Sequence, residues 1–334
     1  MTKEKNSENV LTTNQHNTMI HNSVQNILVP ITISSGGEST LNQALYFQKL
    51  FSTRITLLQI IPPSSGLKRW IPQGNNNSTA REAHLDLIQM VKQRFNGIVP
   101  DYIRLETRNG NNTSEILRIT SKSNIDFILI PDLKNIVNTR ESKELNKMVQ
   151  IISESGCPIF FSNETCTIDS IREILLPIDI TKKSKQLVQW TMQLASLFKA
   201  QVQIVSVLKV NIDYKKSLAY RKANLIKSWM INSGIRCDFT IYTSEVENLQ
   251  EAVHRFAKTH QPDLIVAMPQ QESLLLTNKA KPIIPDLLNK IRKPVFSIAP
   301  PCESIFSDLL ISLKGNPGTG YINLKQQDQE IQIL

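Results

Sequence analysis

The sequence of 334 residues lacks any long apolar run. No stretch approaches the roughly 18 uninterrupted apolar residues that a transmembrane helix needs. The N-terminal segment has neither the apolar core of a signal peptide nor an Arg-rich amphipathic pattern. It is rich in polar residues and is expected to be a disordered leader over residues 1–24. These absences favour a cytoplasmic protein that makes no membrane contact.

Paired metal ligands and catalytic motifs are also missing. A zinc site needs thiolates or imidazoles at close spacing, but the four cysteines lie far apart and form no CxxC pair. The sequence contains no G-x-S-x-G elbow and no H-E-x-x-H helix. We therefore expect no metal site, no catalytic residue and no enzymatic activity, although a slow ATPase is not excluded. The cysteine preceding Pro158, Cys157, is expected to be a small buried residue at a strand start.

Aromatic residues make up only 6% of the sequence, whereas the formal net charge is +9. An excess of base suggests nucleic-acid binding, but the lysines are spread along the chain, so this partner is not expected. The densest basic cluster comprises Lys215, Lys216, Arg221, Lys222 and Lys227. Its spacing puts these residues mostly on one side of a helix. That side is interpreted as a solvated face, with a phosphate-binding stripe as the alternative.

One short apolar run occurs twice. "NILVPI" at 26–31 returns as "EILLPI" at 173–178. Two further pairs follow in the same order, "DFILIP" with "DLIVAMP" and "CPIFF" with "KPVFS". Strand-like and helix-like patterns alternate between these anchors in both copies. The sequence therefore predicts one architecture, duplicated.

The periodicity of the apolar residues predicts nine elements in each copy. In the first copy, strands are expected over 26–32, 54–61, 101–107, 126–131 and 157–162, with helices over 38–51, 79–96, 113–123 and 140–154. In the second copy, strands are expected over 172–179, 201–210, 235–243, 263–269 and 293–300, with helices over 183–198, 214–232, 245–260 and 282–291. Such alternation is typical of a parallel sheet covered on both faces.

Prolines near the strand ends indicate where a ligand would bind. Proline lacks the amide donor of a central strand, so we expect Pro30 and Pro177 to end their ladders. In open parallel sheets, ligands bind in the crevice beyond the carboxyl ends of the strands. The residues that follow Pro30, Pro177, Pro131 and Pro269 are therefore the first place to seek a site.

Both copies resemble the universal stress protein family in the order and character of these anchors. The resemblance implies an α/β fold of two tandem five-stranded parallel sheets, each with strand order 3-2-1-4-5 and helices on both faces. It places the first domain at 25–164 and the second at 170–300, followed by a C-terminal tail at 301–334. In the nucleotide-binding branch of the family, an Asp closes the first strand and a glycine loop follows the fourth.

The sequence departs from that branch in both copies. Thr32 or Ile33 closes the first strand of the first copy, whereas Asp179 stands at this position in the second. No glycine follows the fourth strand in either copy before the next strand is approached. Without glycines, β-carbons block the backbone cradle that would hold phosphates. Asp179 is thus the one candidate cofactor-binding residue, and its alternative role is to cap the following helix.

These observations lead to a functional hypothesis. The chain is expected to be a non-catalytic stress-response binding or regulatory protein of the universal stress protein type, with no cofactor. An unidentified protein partner is expected, contacted by the tail or the basic helix, and self-association is possible. The alternatives are an ATP-binding protein that uses the second domain around Asp179 and a small-molecule sensor that uses the same crevice.

Overall fold

The computed structural model describes residues 24–33, 36–62, 76–130, 142–162, 171–179, 184–208, 218–243, 249–269, 283–291 and 293–298. The chain divides into two compact units, Met1–Ile168 and Asp169–Leu334. Except for Val24, the expected leader lies outside the described residues, as does the tail at 301–334. The domain boundaries at 25–164 and 170–300 stay predictions.

The first unit alternates strands and helices in the predicted order. Its strands are β1 (Asn26–Ile31), β2 (Arg54–Ile61), β3 (Ile103–Asn109), β4 (Phe127–Ile130) and β5 (Ile159–Phe161). Its helices are α1 (Gly37–Phe51), α2 (Asn76–Arg94), α3 (Asn112–Lys122) and α4 (Ser142–Glu154). The strand bounds differ from the predicted ones by a few residues at most, and β2 has the predicted bounds.

The second unit repeats this order. Its strands are β6 (Glu173–Pro177), β7 (Gln201–Leu208), β8 (Cys237–Thr243), β9 (Leu264–Ala267) and β10 (Val295–Ser297). Its helices are α5 (Lys185–Phe198), α6 (Leu218–Asn232), α7 (Leu249–His260) and α8 (Ile283–Lys290). The repeat that the short apolar runs predict is therefore confirmed at the level of secondary structure.

All strand pairs within each unit are parallel. The strand order is β3-β2-β1-β4-β5 in the first unit and β8-β7-β6-β9-β10 in the second. The order reverses at β1 and at β6. Because parallel crossovers are right-handed, a reversal of direction puts the helices before and after it on opposite faces of the sheet. The α/β class and the predicted strand order are confirmed.

Aromatic side chains join the helices to the sheet. In the first unit, the ring of Phe47 in α1 lies 5.3 Å from that of Phe127 in β4 and 5.0 Å from that of Phe160 in β5. In the second unit, Trp190 of α5 lies 5.2 Å from Phe296 of β10. These contacts bury one face of α1 and of α5 against the strands and so fix the helices that begin at the carboxyl end of β1 and β6.

An aspartate at the amino end of the sheet makes the same contacts in both units. Oδ2 of Asp126 accepts hydrogen bonds from the backbone nitrogens of Gln25, at 2.8 Å, and of Asn26, at 3.0 Å. Oδ2 of Asp263 accepts them from Arg172, at 2.9 Å, and Glu173, at 3.0 Å. Each carboxylate therefore ties the start of the fourth strand of its unit to the start of the first strand.

Proline occupies the same position in the first strand of both units. The structure corrects the prediction that this proline ends the hydrogen-bond ladder. The ladder does not stop at Pro177, because the backbone nitrogen of Ile178 still donates to the Val205 oxygen at 2.9 Å. Amide groups alternate in direction along a strand, so the missing donor of Pro177 faces β9. The register with β9 runs only to Leu175, and the sheet therefore needs no donor there.

Two helices of the first unit begin in different ways. The residue before α1 is Gly36, at φ 75°, and no side chain caps this helix. The cap of α3 is Asn111, whose side chain accepts from the Thr113 backbone nitrogen at 3.0 Å. In the described part of the chain, no helix combines the length and the apolar character needed to cross a membrane.

Candidate functional site

Asp179 lies at the carboxyl end of β6, directly beyond Ile178, whose backbone N–H donates to the Val205 oxygen of β7. Its side chain is half-buried. This is the crevice that the parallel topology offers to ligands, because the strand order reverses at β6. The structure therefore places the predicted candidate at the edge where a site is expected. Whether it binds a ligand stays a prediction.

Lys222 lies within electrostatic reach of Asp179. This lysine belongs to α6 and is only 7% exposed, on the helix side that also buries Ala223 and Ile226. Burial lowers the pKa of the Lys222 ammonium from its usual value, and the negative charge of Asp179 offsets part of that shift. The predicted solvated basic face is therefore wrong for Lys222, which points into the unit.

Lys227, on the same helix, behaves differently. Its Nζ lies 2.5 Å from Oδ1 of Asp238 and 5.9 Å from the centre of the Phe239 ring. The hydrogen bond to Asp238 raises the pKa of Lys227. Lys215 and Lys216 lie outside the described residues. The basic cluster thus contains one buried cation, Lys222, and one cation, Lys227, that forms an ion pair with a neighbouring carboxylate.

Ser206 faces the same helix layer as Lys222. The ring of Tyr220 in α6 lies 5.6 Å from that of Phe239 in β8, so Phe239 faces α6. Phe239 pairs with Ile204 in the parallel register. Side chains alternate between the faces of a sheet with a period of two. Ser206, two residues beyond Ile204, therefore points toward α6 near the carboxyl end of β7.

The hydroxyl groups of Ser184 and Ser206 are among the buried polar groups of the second unit that have no hydrogen-bond partner. Ser206 is 1% exposed and Ser184 is 4% exposed, and the Oγ atom of each lacks a partner. Ser184 is the N-cap residue of α5, but its side chain makes no capping hydrogen bond. A buried polar group without a partner costs about 1–3 kcal/mol. The Ser184 and Ser206 hydroxyls of the second unit could therefore form further hydrogen bonds.

The first unit carries different side chains at the equivalent positions. Alignment of Pro30 with Pro177 brings Thr32, Gly37 and Gln59 opposite Asp179, Ser184 and Ser206. Alignment of the buried residues of α2 with those of α6 (Leu87 and Val91 with Ile226 and Met230) brings Ala83 opposite Lys222. The carboxylate and the lysine are therefore both present in the second unit and both replaced in the first.

A cavity of about 600 Å³ opens beside the start of α1 in the first unit. Gly36 and Gly37 line it together with polar residues of α2, and the carboxylates of Glu38 and Asp86 also contribute to its wall. A β-carbon at Gly37 would lie 3.1 Å from Sδ of Met90, so a larger residue would crowd α2. The two carboxylates repel a polyphosphate, which disfavours a nucleotide in this cavity.

Two histidines and two cysteines of the described segments have contacts or burial typical of structural residues. Nδ1 of His84 lies 3.1 Å from Oγ1 of Thr107, and the His260 ring stacks on Phe256 at 3.9 Å. Cys157 is buried, as predicted, and burial raises the pKa of the buried Cys237 thiol to about 12. No group of three His, Cys, Asp or Glu residues suited to a metal ion occurs among the described residues.

Sequence reasoning missed Ser184 and Ser206, and it named Lys222 only as part of a basic cluster, with a solvated face as the favoured interpretation and a phosphate-binding stripe as the alternative. The signal for Lys222 was present, since it shares a helical spacing with apolar residues of α6, but its charge favoured a solvent-facing interpretation. The segments after β4 and β9, 131–141 and 270–282, lie outside the described residues. The absence of a glycine cradle there stays a prediction from the sequence.

No model of a protein family matches this sequence, and no curated protein matches it. Solved structures do. A universal stress protein from Archaeoglobus fulgidus is 14% identical, with a TM-score of 0.57, over 82% of this chain and 98% of that one. A functionally unknown protein from Pseudomonas aeruginosa is 15% identical, with a TM-score of 0.57, over 90% of this chain and 100% of that one. Identities this low establish a common fold, and the chain accordingly has the universal stress protein fold in a tandem arrangement.

Proposed function

We propose that this chain is a non-catalytic stress-response binding or regulatory protein of the universal stress protein type, and that its second unit does not hold ATP in the manner of the nucleotide-binding branch. One observation supports this proposal above all. Asp179, the residue that a nucleotide-binding member would use at this position, lies within electrostatic reach of the buried Lys222.

The charge balance explains why this arrangement disfavours the usual ligand. An Asp that closes the first strand serves a ligand by accepting hydrogen bonds from it. The negative charge of Asp179 and the positive charge of the buried Lys222 attract each other, so a ligand must compete with Lys222 for Asp179. Moreover, the sequence after β9 offers no glycine to bring backbone amides close to phosphates.

Native mass spectrometry of the purified chain tests the proposal directly. We expect no adenine nucleotide to remain bound to the protein. Isothermal titration with MgATP is expected to give no saturable heat at micromolar protein, and released phosphate should not exceed that of a blank. A co-purified adenine nucleotide, or turnover of ATP, would contradict the proposal.

A second candidate function is nucleotide binding through the second unit. It is supported by the hydroxyls of Ser184, at the start of α5, and of Ser206, near the carboxyl end of β7, which are buried and lack hydrogen-bond partners. If this candidate is correct, MgATP binds the wild type and Asp179→Ala abolishes the binding. Asp101→Ala, which removes an exposed carboxylate of the first unit, serves as the matched control and should leave binding unchanged.

A protein that regulates by binding also requires a partner. As part of the same proposal, this chain binds either a different protein or a second copy of itself. Sedimentation velocity over a wide range of protein concentration tests the second of these: a sedimentation coefficient that stays constant would exclude self-association over that range and leave a different protein as the partner.

A further inference from the structure

We propose that the outer edge of β8 pairs with β8 of a second copy of the chain, as two antiparallel strands related by a twofold axis at Thr240. This inference rests on the proposed function and deepens it, because it names the partner and the surface of a protein that acts by binding. It involves neither the crevice beyond β6 nor a nucleotide.

The edge of β8 is the first argument. In the described part of the chain, β8 has one strand neighbour, β7, with which it pairs from Cys237 to Thr243. The backbone nitrogen of Val202 donates to the Arg236 oxygen at 2.8 Å. Backbone groups alternate in direction along a strand, so the odd-numbered residues of β8 point their N–H and C=O groups away from β7. Such an edge is a template for pairing with another strand.

The composition of β8 is the second argument. Edge strands that avoid pairing commonly carry lysine, proline or a bulge. β8 reads "CDFTIYT" and contains no lysine, arginine, proline or glycine. Its one charged residue, Asp238, forms an ion pair with Lys227 at 2.5 Å. Phe239 and Ile241 are only half-buried, so an added strand would cover apolar surface that the unit leaves accessible.

The equivalent strand of the first unit, β3, carries charges where β8 carries few. Alignment of the two strand registers brings charged residues of β3 opposite three positions of β8: Arg104, Glu106 and Arg108 opposite Asp238, Thr240 and Tyr242. Nη2 of Arg104 lies 2.8 Å from Glu106, and Nη2 of Arg108 lies 2.9 Å from the same carboxylate. The three charges therefore form a row along β3.

That row opposes the pairing that we propose for β8. In an antiparallel pair centred on Glu106, this carboxylate would face its own copy, and Arg104 would face Arg108 of the second copy. Like charges directly opposite each other destabilise a pair of strands. The first unit thus has a charge pattern that prevents self-pairing of its edge strand, whereas β8 lacks such a pattern.

The same register makes β8 complementary to itself. A twofold axis at Thr240 puts Phe239 opposite Ile241 of the second copy. Both residues direct their backbone groups outward, so they exchange hydrogen bonds as a narrow pair does. Aromatic and β-branched side chains directly opposite each other stabilise a sheet, as do two facing threonines. The pairing therefore satisfies the outward backbone groups and covers the two apolar side chains.

Charge complementarity favours a second copy over an unrelated strand. Asp238 lies opposite Tyr242 of the second copy in this register, and Cζ of Arg255 lies 4.0 Å from the centre of the Tyr242 ring. Opposed Cα atoms of such a pair lie about 4.5 Å apart, so each Asp238 comes near Arg255 of the other copy. The Asp238 side chain is 69% exposed, and a carboxylate can accept from a second cation in addition to Lys227.

The first experiment measures the oligomeric state of the full chain by sedimentation velocity. An interface of one strand from each copy has the size of weak, transient complexes, so we expect a reversible equilibrium between monomer and dimer. Thr240→Lys puts two like charges opposite each other and should raise the dissociation constant by at least about tenfold. Thr259→Lys adds the same charge at an exposed threonine of α7 and should leave the constant unchanged.

A charge exchange tests the register. Asp238→Arg and Arg255→Asp should each weaken the dimer, because each places like charges together across the axis. The double variant restores opposite charges and should recover part of the lost affinity. A role of either residue in the folding of its own unit would produce no such recovery.

Disulfide trapping provides an independent readout. In a background with Cys166→Ser and Cys302→Ser, Thr240→Cys places two thiols at the axis, where a Cα separation of about 4.5 Å permits a disulfide. Mild oxidation should therefore give a covalent dimer. Glu106→Cys, at the equivalent position of β3, should give little of it. The native thiols Cys157 and Cys237 are buried and should not interfere.

Three outcomes would overturn the inference: a monomer that persists up to about 1 mM protein, a dimer that Thr240→Lys does not weaken, or equal trapping at both cysteine positions. Circular dichroism confirms that each variant is folded, and the trapping experiment decides if Thr240→Lys fails to fold. Failure of the proposed function remains distinguishable. Bound or hydrolysed ATP contradicts non-catalytic binding, whereas a persistent monomer contradicts only self-pairing and leaves a different protein as the partner.

Discussion

Asp263 accepts the backbone N–H of Glu173 through Oδ2 at 3.0 Å, across 90 residues of sequence. The same carboxylate oxygen accepts the N–H of Arg172. Asp126 makes the equivalent pair of hydrogen bonds in the first unit. The same contact recurs in both units, although their sequences have little overall similarity. This recurrence indicates that the fold needs the tie between the first and fourth strands.

Asp263→Ala removes the acceptor of two backbone N–H groups at the start of β6. Because water can reach part of this edge, we expect a loss of about 1 kcal/mol in the free energy of unfolding. Asp263→Asn retains an acceptor oxygen and should lose less. Urea unfolding monitored by fluorescence of Trp190, which is buried in the second unit, provides the measurement. An unchanged midpoint for the Ala variant would show that the contact contributes nothing.

Phe47 joins α1 to the sheet of the first unit and is fully buried. Phe47→Ala leaves a cavity between Phe127 and Phe160, so the unfolding free energy should fall by about 3–5 kcal/mol. Leu85→Ala is the control, since Leu85 is 55% exposed and its loss should change stability by less than about 0.5 kcal/mol. Chemical denaturation followed by circular dichroism distinguishes the two. Similar effects in both variants would contradict the assigned core.

The Cys237 thiol should be chemically inert in the folded protein. Burial raises its pKa to about 12, and the reactive species is the thiolate. In a background with Cys166→Ser and Cys302→Ser, labelling by a thiol reagent at neutral pH should be slow and become complete in denaturant. Cys157 is also buried and should behave alike. Rapid labelling of the native protein would contradict the burial of both thiols.

Lys222 should give stability a dependence on alkaline pH. Its pKa is lowered in the folded state from the usual 10.5, so the unfolded chain binds more protons between the two values. The free energy of unfolding of the wild type should therefore increase relative to that of Lys222→Met as the pH rises toward 10.5. At lower pH, the destabilisation by the buried charge should be fully present. Urea unfolding at several pH values measures the difference.

Lys227→Met is the control for this pH series, with an opposite sign. The hydrogen bond to Asp238 raises the pKa of Lys227, so its contribution is present below the usual pKa and is lost as pH rises through the raised one. Because this pair is largely solvated, the effect should be small. A Lys222→Met difference that does not vary with pH would contradict a buried ammonium.

Much of the fold could be predicted because apolar periodicity is a local property of the sequence. The sequence predicts β2 at 54–61, and β2 occurs at Arg54–Ile61, where a continuous apolar run is closed by proline. The sequence predicts β3 at 101–107, but β3 occurs at Ile103–Asn109. Its pairing with β2 begins at Ile55 opposite Ile103 and extends to Ile61 opposite Asn109. The ladder with a neighbouring strand, which no local pattern contains, sets these bounds.

The candidate site was only partly predictable. The position of Asp179 follows from its place after a repeated strand, and the structure puts it at the carboxyl end of β6. For Lys222 the sequence favours a solvent-facing surface, because charged residues usually lie there. The inward face of α6 is decided by packing on β8, through contacts such as Tyr220 with Phe239, and these contacts do not follow from the spacing of lysines.

The sequence by itself determined the alternation of strands and helices, their duplication and the place of Asp179, because each depends on residue order and on the intrinsic geometry of the chain. Only the tertiary structure decided that Lys222 is buried within electrostatic reach of Asp179, that Ser184 and Ser206 are buried without hydrogen-bond partners, and that Asp263 ties β9 to β6. Each of these features requires residues distant in sequence to pack together. Desolvation and hydrogen bonding act on a side chain only after that packing has formed.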